Sequence, residues 1–308
     1  MRFLVTGSSG FIGRHLVWYL NENEHFCGLV DIIEGVDITN YKQMRQVFNL
    51  FKPEAVYHLA AQVGAAKSEE DPELDWKVNV EGSLNIIKCM IDFEVNVGIF
   101  VSTQAVHEPT SNYAVSKLAM EEYVKKYTRQ GKILGKIVRF SSCYGPDRYG
   151  IIDKKPVFNG PVNRFIHQCL EKQPITIYGD GLQKRDFIEV TDCCKALELV
   201  RQHGQIGKTY NIGTGVQYTI QEIATLANFI VGGRKHKIDY KKDKGISDLI
   251  SAPFNVRETF KLGFVPKYDL YKGMCNVATE IPKILRSFKK VKIIDAKDIH
   301  IDERKDKK

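Results

Sequence analysis

Tyr113 and Lys117 lie four residues apart in Tyr113–Tyr127, a stretch that Leu118, Met120 and Tyr123 give helical spacing. Residues i and i+4 share one helical face, so the phenol and the ammonium are neighbours. A free tyrosine titrates near about 10. An adjacent positive charge favours the phenolate and lowers that value. Tyr113 is therefore suited to take a proton from a hydroxyl near neutral pH. A second group of residues points to phosphate. Thr6-Gly7-Ser8-Ser9-Gly10-Phe11-Ile12-Gly13 spaces its glycines by three, directly after the apolar run Phe3–Val5. Gly7 permits a tight turn and Gly10 lets the backbone approach a pyrophosphate. Gly13 lets the following helix pack close, and the helix N-terminus supplies N–H groups and partial positive charge. Asp31 closes the second apolar run, Cys27–Val30. A carboxylate there accepts hydrogen bonds from ribose hydroxyls and repels a 2′-phosphate. The pattern predicts NAD(H) in preference to NADP(H).

These groups need a scaffold. Short runs rich in Val, Ile and Phe read as buried strands: Phe3–Val5, Cys27–Val30, Ala55–Leu59, Val97–Val101 and Ile137–Phe140. Between them Gly13–Leu20, Tyr41–Phe51, Trp76–Ile91 and Tyr113–Tyr127 have helical spacing. This alternation predicts an α/β fold, a Rossmann-type doubly wound parallel sheet. Past Gly145-Pro146 a loop rich in Gly, Asp, Asn and Pro runs to about residue 160. A helix over Asn163–Glu171 and a strand over Ile175–Tyr178 follow. Asp186–Gln202 and Thr209–Ile212 read as a helix–strand pair that rejoins the first lobe. The expected division is 1–150 with 186–213 as the NAD-binding lobe, and 151–185 with 214–308 as a smaller α+β lobe for substrate.

Composition narrows the function classes. The chain has 308 residues, 43% hydrophobic and 27% charged, ordinary for a globular protein with a large core. No window approaches the roughly 18 apolar residues of a membrane span. The opening Met1–Gly7 reads as a strand, not a targeting segment. Seven cysteines without CxxC spacing argue against a disulfide scaffold and a zinc ribbon, and no metal site is expected. A reducing cytoplasm is the expected compartment. The net charge of +8 gathers in the last quarter, but the tail interleaves Asp302, Glu303 and Asp306 with its lysines. It reads as a solvated end, and no basic–aromatic platform for nucleic acid is present.

Taken in order, the motifs resemble the extended short-chain dehydrogenase/reductase family, the nucleotide-sugar epimerases and dehydratases, over about residues 1–266. The opening Thr6–Gly13, with Ser9, Phe11 and Ile12, is similar to the family's TGxxGFIG. Asp37-Ile38 resembles its adenine-contacting segment, His58-Leu59-Ala60-Ala61 its HxAA and Asn79–Ser83 its NVxGT. Tyr113–Lys117 matches YxxxK, and Arg139 to Pro146 resembles RxxNVYGP. Ile175–Ile188 matches the nucleotide-binding stretch, Asn211–Gly215 matches NxGxG and Leu262–Pro266 matches LGWxP. The resemblance implies NAD held by Gly7, Ser9, Gly10, Phe11, Ile12, Gly13, Asp31, Asp37, Ile38, Leu59, Ala60, Ala61, Ser102, Tyr113, Lys117, Phe140 and Ser142. It implies a nucleotide-diphosphate sugar held by Thr103, Gln104, Tyr113, Ser142, Asn163, Thr176, Tyr178, Arg185 and Lys244. It also implies a homodimer through a four-helix bundle.

The catalytic set implied is Thr103, Tyr113 and Lys117. Thr103 bridges the reacting sugar oxygen and the phenol, and Lys117 also holds the nicotinamide ribose. Family 4,6-dehydratases carry an Asp-Glu pair after this threonine. Gln104-Ala105 stands there instead, and neither residue transfers a proton that way. The expectation is an NAD-dependent nucleotide-sugar 4-epimerase working through a 4-keto sugar. The rivals are a 4-dehydrogenase or 4-ketoreductase, or an epimerase at another carbon such as C2, since the Phe140–Gly145 segment slightly resembles the CDP-tyvelose 2-epimerase branch. An NAD(H)-binding scaffold without turnover is opposed by the intact catalytic set. Departures from the family are Val106-His107-Glu108 for Val-Tyr-Gly, Ser142 for asparagine, and Lys244 for a phosphate-binding arginine. Cys143, Cys193 and Cys194 read as packing, His58 as a hydrogen bonder and His107 as a loop histidine without a role. The 147–160 loop, with Asp147, Arg148, Tyr149, Asp153 and Asn159, is expected to close over the sugar.

Overall fold

The computed structural model describes residues 1–147, 160–231, 236–242 and 253–290, with side chains up to Lys283 in the last segment. The chain begins β1 (Arg2–Thr6), α1 (Phe11–Glu22), β2 (Phe26–Val30), a 3₁₀ turn (Ile32–Glu34), α2 (Tyr41–Phe51) and β3 (Ala55–His58). Then come α3 (Ala65–Glu70), α4 (Pro72–Trp76), a π-helical segment (Lys77–Gly82), α5 (Ser83–Asp92), β4 (Val97–Thr103), a 3₁₀ turn (Gln104–His107) and α6 (Asn112–Arg129). β5 (Leu134–Phe140) and β6 (Ser142–Tyr144) close this half. The second half holds α7 (Gly160–Leu170), β7 (Ile175–Tyr178), β8 (Lys184–Glu189), α8 (Val190–His203) and β9 (Thr209–Ile212). It ends with β10 (Gln217–Thr219), α9 (Ile220–Ile230), β11 (Ile238–Lys241), α10 (Arg257–Phe260) and α11 (Leu270–Lys290).

Six strands form a parallel sheet in the order β2-β1-β3-β4-β5-β9. Successive strand side chains point to opposite faces. Phe3 and Val5 therefore join Leu16, Leu20, Leu197 and Val200 on one side, while Leu4 joins Phe48, Ile87 and Met120 on the other. Two smaller sheets follow, one in the order β10-β8-β6 and one pairing β11 with β7. Their core includes Tyr144, Phe165, Ile177, Phe187 and Met274. Phe264 belongs to the core of the large sheet, so the C-terminal part of the chain touches both layers. The large sheet stops at β2. Residues 31–40 turn directly into α2 without adding a strand, and Phe26 stays 72% exposed.

Two elements differ from the sequence reading. Asp186–Gln202 is not helical throughout, because residues 184–189 pair with β10 and β6 as a strand and α8 starts at Val190. The Trp76–Ile91 helix is not uniform either. The Ser83 hydroxyl donates to the Asn79 carbonyl at 2.6 Å, and Gly82 lies against Ile38. A side chain bonded into the backbone ladder produces a local π segment, here Lys77–Gly82. Both helices next to the catalytic region are capped by side chains where the sequence offers them. Asn40 accepts from Gln43 N ahead of α2, and Ser111 accepts from Ala114 N ahead of α6.

Candidate active site

A parallel sheet brings the carboxyl ends of its strands to one edge, and ligands bind outside that edge. Here it gathers the glycine turn after β1, Asp31 after β2, Leu59–Ala61 after β3 and Ser102–Thr103 at the end of β4. The glycine turn accepts no side chain at positions 7 and 13. Gly7 has φ +70°, and a Cβ on it would lie 2.6 Å from Ala60 N. A Cβ on Gly13 would lie 2.0 Å from the Gly7 carbonyl oxygen. No side chain caps α1 at Gly10, which leaves its first N–H groups for a ligand. The Ser8 hydroxyl is buried in the same turn with no hydrogen-bond partner among the described residues. A cradle that needs glycine at positions 7 and 13, open helix N–H groups and an orphaned hydroxyl fit a dinucleotide diphosphate.

Asp31 does two things. Its Oδ2 accepts from Ser9 N at 3.0 Å and its Oδ1 from Ile33 N at 3.1 Å, which knots the glycine turn to the end of β2. An ionised carboxylate has about four acceptor positions, so capacity for ribose hydroxyls remains. Asp37 is spent locally on the Thr39 N–H and hydroxyl, both at 2.8 Å. Ile38 packs against Gly82, and Phe140 is buried in the sheet core.

His58 anchors the floor. Its Nδ1 lies 2.7 Å from Thr6 Oγ1 and its Nε2 2.8 Å from Ser83 Oγ. Ser83 gives its proton to Asn79 O, so it accepts from Nε2–H. Nδ1 then accepts from Thr6, which in turn accepts from Ala60 N at 3.2 Å. Complete burial, and then the Lys117 charge, push the His58 pKa down to about 3. The ring is a neutral hydrogen-bonding post.

Thr103 ends β4 and accepts from Ala105 N at 3.2 Å, capping the turn that carries Gln104 and His107. Ser102 Oγ is buried and has no hydrogen-bond partner among the described residues. α6, which carries Tyr113 and Lys117, packs against β4 and this turn. Lys117 is only 2% exposed. Burial pulls its pKa down to about 8, with Glu121 and Asp75 acting in the opposite direction. Glu121 is held by Arg139 through Nε at 2.7 Å and Nη2 at 2.6 Å. His107 lies 3.4 Å from Arg139 Nη1, and burial lowers its pKa. Ser142 opens β6, and the neighbouring Cys143 Sγ lies 3.4 Å from Cys193 Sγ.

The second layer supplies the other wall. Tyr178, at the end of β7, is 43% exposed, and Thr176 precedes it on the strand. The Arg164 guanidinium lies 5.6 Å from the Tyr178 ring centre. Arg185 is on β8 with Nη1 3.1 Å from the Lys184 carbonyl oxygen. Asn163 holds Gly145 at both ends, its amide donating to the carbonyl at 2.7 Å and accepting from N at 3.3 Å. It is 1% exposed and fixes the backbone before the loop. Asp147 pairs with Arg14 of α1 at 2.6 Å. Lys244, Arg148, Tyr149, Asp153 and Asn159 lie outside the described residues. Sequence reasoning missed Ser8, Asp75, Ser116 and Arg164. Only Ser8 had a signal, since it sits inside the glycine turn.

The chain is 31% identical over 303 residues to a putative UDP-glucose 4-epimerase of Methanocaldococcus jannaschii, covering 89% of this chain and 96% of that one. It is 26% identical over 315 residues to the human dTDP-D-glucose 4,6-dehydratase, covering 89% and 87%. The crystal structure of the Thermotoga maritima UDP-glucose 4-epimerase with UDP-glucose superposes with a TM-score of 0.84, at 29% identity, covering 92% of this chain and 100% of that one. No helix among the described residues is long and apolar enough to cross a membrane. Residues 3–213 match the NAD dependent epimerase/dehydratase family, and with the dinucleotide cradle and the buried lysine beside Tyr113 this chain belongs to that family of NAD-dependent enzymes.

Proposed function

We propose that this protein is a nucleotide-sugar 4-epimerase. The observation that carries the reading is the buried Lys117 one helical turn after Tyr113, on a helix packed against the strand that ends at Thr103, with Gln104 and Ala105 in place of an acid–base pair. NAD held by the Gly7–Gly13 turn and Asp31 would supply hydride acceptance and return at the sugar carbon. Tyr113, as phenolate, takes the proton of the sugar hydroxyl and later gives it back. The Lys117 ammonium stabilises that phenolate. The Thr103 hydroxyl orients the sugar oxygen. The buried Ser102 and Ser8 hydroxyls, which have no hydrogen-bond partner among the described residues, would donate to the bound cofactor. Arg185 and Lys244 neutralise the diphosphate of the substrate, a role suited to guanidinium and ammonium. Tyr178 and Thr176 flank the base.

The UDP-glucose bound to the Thermotoga maritima relative supports a uridine diphosphate sugar as the first substrate to test. A dehydratase needs an acid and a base beyond Tyr113, and Gln104 and Ala105 supply neither. The NAD lobe is read as 1–150 with 186–213. Exposed Leu74, Trp76 and Val115 on α4 and α6 favour a homodimer through these helices. A panel of UDP-, GDP-, CDP- and dTDP-sugars, with absorbance at the NADH band and sugar stereochemistry by NMR, tests the reading. An inverted C4 without lasting NADH is expected. Persistent stoichiometric NADH with a ketone product means a dehydrogenase and sinks the epimerase.

A further inference from the structure

α4 carries a buried carboxylate that the chemistry above does not use. Asp75 is almost fully buried, and its Oδ1 accepts from Ser68 Oγ at 2.5 Å and from Asn79 Nδ2 at 2.9 Å. The same Asn79 amide donates to Ser116 Oγ at 3.0 Å. Ser116 Oγ donates to the Tyr113 carbonyl at 3.1 Å. Ser68, Asn79 and Ser116 are all buried. One carboxylate therefore ties α3, the π segment and the first turn of α6 together, and the chain of bonds ends on the backbone of Tyr113.

The charges around Lys117 make Asp75 distinctive. Glu121 faces the ammonium from one turn further along α6, but it is committed to Arg139 of β5. His58 faces it from β3 and is neutral. His107, from the turn after β4, sits against Arg139, and Glu69 of α3 is bonded to Asn112. Asp75, on α4, which packs against α6, also attracts it and forms no salt bridge among the described residues. A buried carboxylate without a paired cation is costly, and attraction to Lys117 offsets part of that cost.

We propose that Asp75 is a positioning residue for the Tyr113–Lys117 pair: through Asn79 and Ser116 it fixes the turn of α6 that carries them, and it sets a negative charge beside the ammonium. The effect on turnover rests on the epimerase reading, whereas the effect on Lys117 itself does not.

Asp75→Asn keeps an acceptor for Ser68 and Asn79 and removes the charge. NMR of ¹³C-labelled lysine side chains, with Lys117 identified by its loss in Lys117→Met, reads the titration directly. Lys117 is expected to titrate about one pH unit lower than in wild type, and the alkaline limb of turnover moves down with it. Unchanged titration of Lys117 overturns the charge role. Ser116→Ala cuts the link to α6 and leaves Asp75 in place. It is expected to lower kcat by about tenfold or more with KM and the Lys117 titration unchanged, and a wild-type kcat overturns the positioning role. Should Tyr113→Phe turn over like wild type, the epimerase reading falls, and the Lys117 titration in Asp75→Asn still decides on Asp75.

Discussion

Lys117→Met should remove activity and stabilise the fold. The ammonium is buried, and its pKa falls from 10.5 to about 8. At about 1.36 kcal/mol per unit, holding this charge inside the folded protein costs about 3 kcal/mol below pH 8. That figure already contains the attraction to Glu121 and Asp75, because both act on the same titration. Methionine fills a similar volume without the charge. With unfolding entropy of about 2.1 cal/mol/K per residue, the gain raises the melting temperature by about 5 °C. The sign also fixes a pH dependence. Between pH 8 and 10.5 the unfolded chain binds more protons at this residue than the folded one does. Wild type therefore gains stability across that window relative to Lys117→Met, and the difference closes toward pH 10.5. Urea titrations of both proteins at pH 7 and pH 10, at matched NAD content, measure this, together with turnover. A methionine variant no more stable than wild type at pH 7, or a difference independent of pH, refutes a buried cation at this position.

Tyr113→Phe should keep bound NAD and lose about 10²–10⁴ in kcat, read in the sugar-nucleotide panel. Gly13→Ala brings a methyl to 2.0 Å from the Gly7 carbonyl. It should purify with little or no NAD, which absorbance of the released nucleotide quantifies. Asn163→Ala orphans both backbone groups of Gly145 and should cost about 1–3 kcal/mol in urea unfolding.

The large sheet was readable because its inner strands β1, β3, β4 and β5 are buried on both faces, so their apolar runs are nearly continuous. The glycine turn was readable because only glycine fits at positions 7 and 13. What escaped the sequence lies where tertiary pairing overrides local pattern. Asp186–Glu189 sits ahead of a helical stretch and looks continuous with it, yet pairing on both sides makes it a strand. The π segment depends on the Ser83 hydroxyl reaching Asn79, which helical periodicity does not register. The partner of Asn163 is the backbone at Gly145, 18 positions away. Asp75 reads as one more acid on a helix face until α6 covers it.

The end of the sheet at β2 bears on how the molecule behaves in crowded solution. Phe26 N donates to Met1 O, and Gly7 N donates to Val30 O. In a parallel ladder alternate residues turn their polar groups to opposite sides, so those of Cys27 and Leu29 point away from β1. Phe26 and Leu29 are exposed along that margin. Phe26–Val30 holds no lysine, glutamate or proline, the residues that commonly guard such a strand. The margin is an open template for extended chain, and the colloidal stability of the protein rests on its shortness, five residues, and on Glu24 and Asp31 flanking it.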